Sequence, residues 1–155
     1  MNLLITALIA PLMLLQGEPP QVDVQLKSSV GKVNGTILGT ATVSFPSGLH
    51  GYQNPPTKDY QIPITISVDG KGFLLKANYP KGVIKEFLGE KTAVYEGQVK
   101  VPFAFTLPSK PGTYTITFSL GYQMCNDQSC FPPGAVTVTK KVSVLAKAAT
   151  KKNGG

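Results

Sequence analysis

No arginine occurs anywhere in the chain, histidine occurs once, at His50, and cysteine occurs twice, at Cys125 and Cys130. Each shortage removes a class of function. Nucleic-acid binders grip phosphates with forked guanidinium groups interleaved with aromatic rings, so a chain whose 15 basic residues are all lysine is not expected to bind nucleic acid. The net charge of +7 does not revive that reading, because five of the lysines and no acid lie between Lys140 and Gly155. Residues 1–139 hold ten lysines against eight acids, a balance of only +2. A lone histidine with no recognisable nucleophile motif around it, and acids scattered along the chain, give neither a Ser-His-Asp set nor a carboxylate pair. A soft copper site would have to draw on His50, Met124, Cys125 and Cys130, which lack the tight ligand clustering of metal sites. No metal and no cofactor is expected, and the Asn34-Gly35-Thr36 triplet is given no role.

Long apolar runs are also missing. The one candidate, Leu3 to Leu15, spans 13 residues, whereas a membrane-crossing helix needs ~20. That length suits an export signal, although no lysine precedes it and only Leu15 and Gly17 approach a small-x-small cleavage pattern. Polarity rises abruptly at Gln16–Gln21, which includes Pro19-Pro20 and suits a mature N-terminus. The expected organisation is a signal peptide at residues 1–17, one domain at 18–145 and a disordered lysine-rich tail at 146–155.

What the chain does contain is β alternation punctuated by 16 glycines and 13 prolines. Apolar and polar residues alternate in Val22–Leu26, Thr40–Phe45 and Ile62–Val68, and similar runs occupy Phe73–Ala77, Val99–Leu107, Tyr114–Leu120 and Val136–Val144. Turn residues such as Pro46-Ser47-Gly48, Asp69-Gly70 and Pro108-Ser109-Lys110-Pro111-Gly112 separate them, and no stretch has a helical period. Seven or so strands of this kind predict an all-β, immunoglobulin-like β-sandwich forming a single domain. Pro63 and Pro102 fall inside two of these strands, which should therefore be edges or carry bulges.

In an exported domain a single cysteine pair is usually a structural disulfide, and immunoglobulin-type sandwiches often pin their sheets with one. Cys125 and Cys130 flank only Asn126-Asp127-Gln128-Ser129, between a strand ending near Tyr122 and another starting near Val136. A bridge there spans one hairpin. Closing six residues is worth roughly 2 kcal/mol of chain entropy, against ~3 for a 15-residue loop. A disulfide at a hairpin tip is also reachable, and accessible disulfides tend to be the labile ones. Spacing alone leaves both a structural and a redox role open.

The flanking residues bear on that choice. Tyr122-Gln123-Met124-Cys125-Asn126-Asp127-Gln128-Ser129-Cys130-Phe131-Pro132-Pro133 resembles the Tyr-Gln-x-Cys-x-Asp-x-x-Cys-x-Pro-Pro run of the DsbD N-terminal domain family. Gly48-Leu49-His50-Gly51-Tyr52 resembles that family's early Gly-x-His-x-Tyr turn. Tyr79-Pro80-Lys81-Gly82, Glu86-Phe87-Leu88-Gly89 and Val94-Tyr95-Glu96-Gly97 resemble its middle segment, so the likeness extends over about residues 22 to 145. It implies an immunoglobulin-like periplasmic electron carrier with a Cys125-Cys130 redox disulfide, which reduces thioredoxin-like proteins such as isomerases or cytochrome-maturation factors. Full-length DsbD continues into membrane and thioredoxin-like domains, so here a separate membrane protein is the expected electron donor. A non-catalytic exported β-sandwich, serving in binding or assembly with an inert disulfide, is the competing expectation.

The resemblance also implies residue roles. Cys130 is the expected linking cysteine and Cys125 the resolving one. Phe87 matches the apex of a cap loop that shields the sulfurs, with Gly89 as a hinge, and His50 and Tyr52 match the turn that borders the site. Read without the family, the cysteines have no following helix and no nearby lysine to activate them. Asp127, if close, opposes a thiolate, so the thiols are expected nearer the unperturbed ~8.5 than the activated range.

Overall fold

The computed structural model describes residues 18–147. The expected signal peptide at residues 1–17 and all but Ala146 and Lys147 of the expected tail lie outside the described residues. Among the described residues twelve strands form: β1 (Gln21–Leu26), β2 (Val30–Lys32), β3 (Thr36–Ser44), β4 (His50–Tyr52), β5 (Thr65–Asp69), β6 (Leu74–Ala77), β7 (Val83–Phe87), β8 (Glu90–Glu96), β9 (Gln98–Thr106), β10 (Gly112–Tyr122), β11 (Met124–Cys125) and β12 (Gly134–Leu145). Among the described residues no helix is long and apolar enough to cross a membrane.

Two four-stranded sheets, ordered β1-β3-β9-β6 and β2-β12-β10-β5, make an immunoglobulin-like sandwich. The pairing is antiparallel except where β2 runs parallel to β12. Period two does the building, because alternate side chains of a strand share a face. Ile37, Ala41 and Val43 of β3 and Val101, Phe103 and Phe105 of β9 are buried toward Ile116, Phe118 and Leu120 of β10 and Val142 and Val144 of β12. Phe105 sits in the middle, with the Phe118 ring edge-on at 5.6 Å and Phe73 and Phe103 at 6.2 and 6.3 Å. Offset aromatic pairs at these separations add to simple area burial.

The strands read from the sequence are present, and the prolines behave according to local geometry. Pro63 lies outside β5, in a single bridge to Tyr52, and β5 is an edge. Pro102 corrects the expectation for its strand: β9 is interior, lying between β3 and β6. Pro102 is tolerated because β6 ends at Ala77, paired with Phe103. The Pro102 carbonyl accepts from Asn78 N–H at 2.8 Å, so the missing donor falls where the neighbouring ladder has stopped.

A third, smaller sheet, β11-β4-β8-β7, was not read from the sequence. It collects at the end of the sandwich where β3 and β10 finish and β5 and β9 begin. One of its faces, with Met124 and Tyr95, joins the central core. Gly51 lies on that same face, and a Cβ there would meet the Phe45 ring at 2.9 Å. This close approach leaves its neighbours His50 and Tyr52 pointing the opposite way, off the core.

Candidate functional site

Register places the candidate residues on the outward face of the small sheet. Cys125 is paired with His50, and His50 with Glu96; paired residues in neighbouring strands project to the same side. Phe87 is paired with Glu90 at the end of the β7–β8 hairpin. The hairpin closes through Leu88 and Gly89, whose φ angles of 51° and 83° are both left-handed, as the tight type I′ turn requires. Glycine accepts that conformation freely, but Leu88 accepts it at a cost of roughly 1–2 kcal/mol. Leu88 is also 92% exposed, so nothing apolar compensates it.

Cys125 and Cys130 are disulfide-bonded and face one another across an antiparallel bridge. The hairpin they close is tight: Asn126 N–H donates to Ser129 C=O at 2.9 Å, and Phe131 N–H to Met124 C=O at 2.8 Å. The Asn126 side-chain oxygen accepts from the N–H groups of Gln128 and Ser129 at 2.9 and 2.7 Å, fixing the turn. This hairpin is not the tip of the β10–β12 pair, as the spacing suggested. β10 and β12 pair through to Tyr122 and Gly134, and the intervening residues leave that sheet so that β11 can join β4.

The two sulfurs differ in access. Cys125 is 2% exposed, whereas Cys130 is exposed at the mouth of a cleft of about 440 Å³. His50, Tyr52, Tyr60, Phe87, Leu88, Glu90 and Asp127 line the same cleft. The Phe87 ring stacks on the His50 imidazole, with centroids 4.5 Å apart and planes 19° from parallel. Phe87 is half-buried and lies over the site, away from the central core. Tyr52 O–H lies 3.4 Å from Cys130 Sγ, the one polar side chain in hydrogen-bonding contact with a sulfur among the described residues.

The electrostatics follow from this burial. His50, 2% exposed, has its pKa lowered below 6.5 by desolvation, against the opposing pull of Glu96 and Asp127. Its imidazole is therefore neutral at neutral pH, which suits a flat apolar seat for Phe87. Burial raises the Tyr52 phenol above its usual 10.0, so it stays protonated and able to donate to sulfur. A donor aimed at a forming thiolate favours that thiolate. Lys85, ion-paired with Glu96, adds a smaller push in the same direction as burial, disfavouring a charged His50.

All the candidate residues thus gather at one end of the fold. Two that the sequence reading missed join them, Tyr60 and Glu90, whose side chains meet at 2.6 Å. No periodicity marks a loop tyrosine as the partner of a strand residue 30 positions on; the nearest signal was the position of Glu90 beside the Gly89 hinge.

A family model described as thiol:disulfide interchange protein DsbD, N-terminal, matches residues 17–141. No curated protein matches the chain. Among solved structures, the N-terminal periplasmic domain of ScsB from Proteus mirabilis aligns with a TM-score of 0.60 at 13% identity, covering 82% of this chain and 47% of that one. The chain thus spans about half the length of that domain, and the likeness is one of fold. The N-terminal domain of Neisseria meningitidis DsbD, in its reduced form, has a TM-score of 0.48 at 18% identity over 79% of this chain and 83% of that one.

Proposed function

This chain belongs to the DsbD N-terminal family of thiol:disulfide interchange domains, and from that premise we propose that its Cys125-Cys130 pair carries electrons to thioredoxin-like proteins in the periplasm. The observation that carries the reading is the unequal exposure of the two sulfurs, one open to a partner and one buried beside His50. A reduced donor's thiolate attacks Cys130 Sγ, the Cys125–Cys130 bond breaks, and Cys125 leaves as a thiolate that takes up a proton. The donor's second thiol resolves the mixed disulfide, and two electrons and two protons have moved onto the domain. In the delivering direction Cys130 thiolate attacks an oxidised partner and Cys125 resolves.

Phe87, seated on His50, acts in this reading as a cap that keeps small oxidants and thiols from the sulfurs until a partner displaces it. Tyr52 stabilises the thiolate form of Cys130, and Asp127 shapes the acidic rim. A periplasmic setting agrees with a disulfide of this kind, with residues 1–17 as the export signal, residues 18–145 as the working domain and 146–155 as a tail. A separate membrane electron-transfer protein supplies the reducing equivalents. The test is to mix the oxidised domain with reduced thioredoxin, quench with a maleimide and count labelled cysteines. Two labels per domain are expected within the time thioredoxin becomes oxidised; an unlabelled domain after thioredoxin has been oxidised by a control disulfide contradicts the reading.

A further inference from the structure

The loop from Gln53 to Ile64, which joins β4 to β5, runs alongside the β7–β8 hairpin and is stitched to it at successive levels. At the base, Gly82 N–H donates to the Gln53 side-chain oxygen at 2.7 Å. Further along, Ala93 N–H donates to Thr57 Oγ1 at 3.0 Å and Gln53 N–H to Ala93 C=O at 3.1 Å. Gln61 Nε2 then donates to Thr92 Oγ1 at 3.2 Å, a bond between two buried side chains. The last stitch is at the tip, where Tyr60 O–H donates to Glu90 Oε2 at 2.6 Å and Lys58 Nζ approaches Glu90 Oε1 at 4.0 Å.

The stitches differ in how readily they open. Those at the base and middle are wholly or partly buried, and breaking them strands polar groups away from water. The tip bond is open to solvent, with Tyr60 70% exposed, so when it breaks its two groups are rehydrated and not stranded. It is nonetheless short and charge-assisted, the stronger kind of hydrogen bond. Donation to Glu90 raises the Tyr60 pKa above 10.0, so the phenol remains a donor across the physiological range. Beyond this bond only the strained Leu88-Gly89 turn remains, and an added Cβ at Gly89 would meet nothing within 4 Å. Phe87 is the cross-strand partner of Glu90, so the residue held by Tyr60 sits directly opposite the ring that lies on His50.

We propose that Tyr60 and Glu90 form a latch that holds the Phe87 cap closed, and that the cap opens by fraying from this tip while the buried stitches below act as its hinge. The inference rests on the capping role of Phe87 proposed above. Tyr60 and Glu90 are positioning residues, acting on the sulfurs only through the hairpin. A partner entering the cleft meets the exposed Tyr60 and Leu88 first, so docking itself would release the latch, whereas a small thiol must wait for spontaneous opening.

The test compares the rate at which dithiothreitol reduces the Cys125–Cys130 bond in the wild type, Tyr60→Phe, Glu90→Ala, Glu90→Gln and Phe87→Ala. Thermal unfolding of each variant serves as the control. Tyr60→Phe keeps the ring and loses one exposed hydrogen bond, so a rise of about five- to tenfold in reduction rate is expected, with the unfolding temperature little changed. Glu90→Ala should match it, and Glu90→Gln, which still accepts a hydrogen bond, should lie between. Phe87→Ala should be faster than all of them. Phe87→Ala fast with Tyr60→Phe and Glu90→Ala at the wild-type rate overturns the latch and keeps the cap. Wild-type rates in every variant, Phe87→Ala included, overturn the cap and the latch with it.

Discussion

Cys125→Ser is expected to accumulate a mixed disulfide with thioredoxin-like proteins, and Cys130→Ser to accumulate none. The prediction comes from the burial of the two sulfurs and from what each variant leaves behind. In Cys125→Ser the remaining thiol sits at the cleft mouth beside Tyr52 O–H. It can attack an oxidised partner, and no second thiol is present to release that partner. In Cys130→Ser the remaining thiol is 2% exposed and paired with His50 in a strand, so an incoming sulfur has little access to it. The difference should approach all-or-none on a non-reducing gel. Trapping through Cys125 alone would reverse the assignment of linking and resolving cysteines.

The second large effect concerns the sandwich that carries the site. Phe105→Ala should destabilise the fold by about 3–5 kcal/mol, the usual range for deleting a fully buried phenylalanine side chain. Phe105 pairs with Ile37 on one side and Leu75 on the other, and its ring meets three other phenylalanines, so the surrounding strands cannot collapse far into the void. Against a total stability of ~5–15 kcal/mol such a loss lowers the urea midpoint severely. The cleft lies on the far face of a different sheet, so the fraction still folded should exchange thiols at the wild-type rate. A loss below about 1 kcal/mol would mean that the two main sheets are not closed around this residue.

How much of this was legible in the sequence depends on which sheet a residue belongs to. β3, β9, β10 and β12 alternate because each has one face in the core and one in water, and that alternation is visible as text. The small sheet breaks the rule in three ways. Thr92, Ala93, Val94 and Tyr95 of β8 are buried in succession, with the core beneath them and the β4–β5 loop above, so no period-two signal survives. Four of the five residues of the edge strand β7 are exposed, so it has no buried face for a period-two pattern to mark. β4 and β11 have three and two residues, too few to show any period. The redox motif marked the cysteines, and its companions marked His50, Tyr52 and Phe87, but the motif said nothing about the sheet that assembles them.

The same contrast explains what was missed. The approach of Lys85 to His50, the pairing of Tyr60 with Glu90 and the tolerance of Pro102 in an interior strand all depend on where a neighbouring segment ends or passes. Such facts belong to tertiary structure, and local composition does not encode them. The DsbD-like run, in contrast, is compact, because a disulfide hairpin, its Asn126 turn and its exit prolines are all consecutive residues.

If the Cys125-Cys130 bond opens and closes in the working protein, its reduction potential must lie within reach of exchange partners. Equilibration of the domain against defined ratios of reduced to oxidised dithiothreitol, read by thiol labelling, should place the potential above about −300 mV, among thioredoxin-like exchange partners. A value below that limit would make the bond a structural staple and contradict the account.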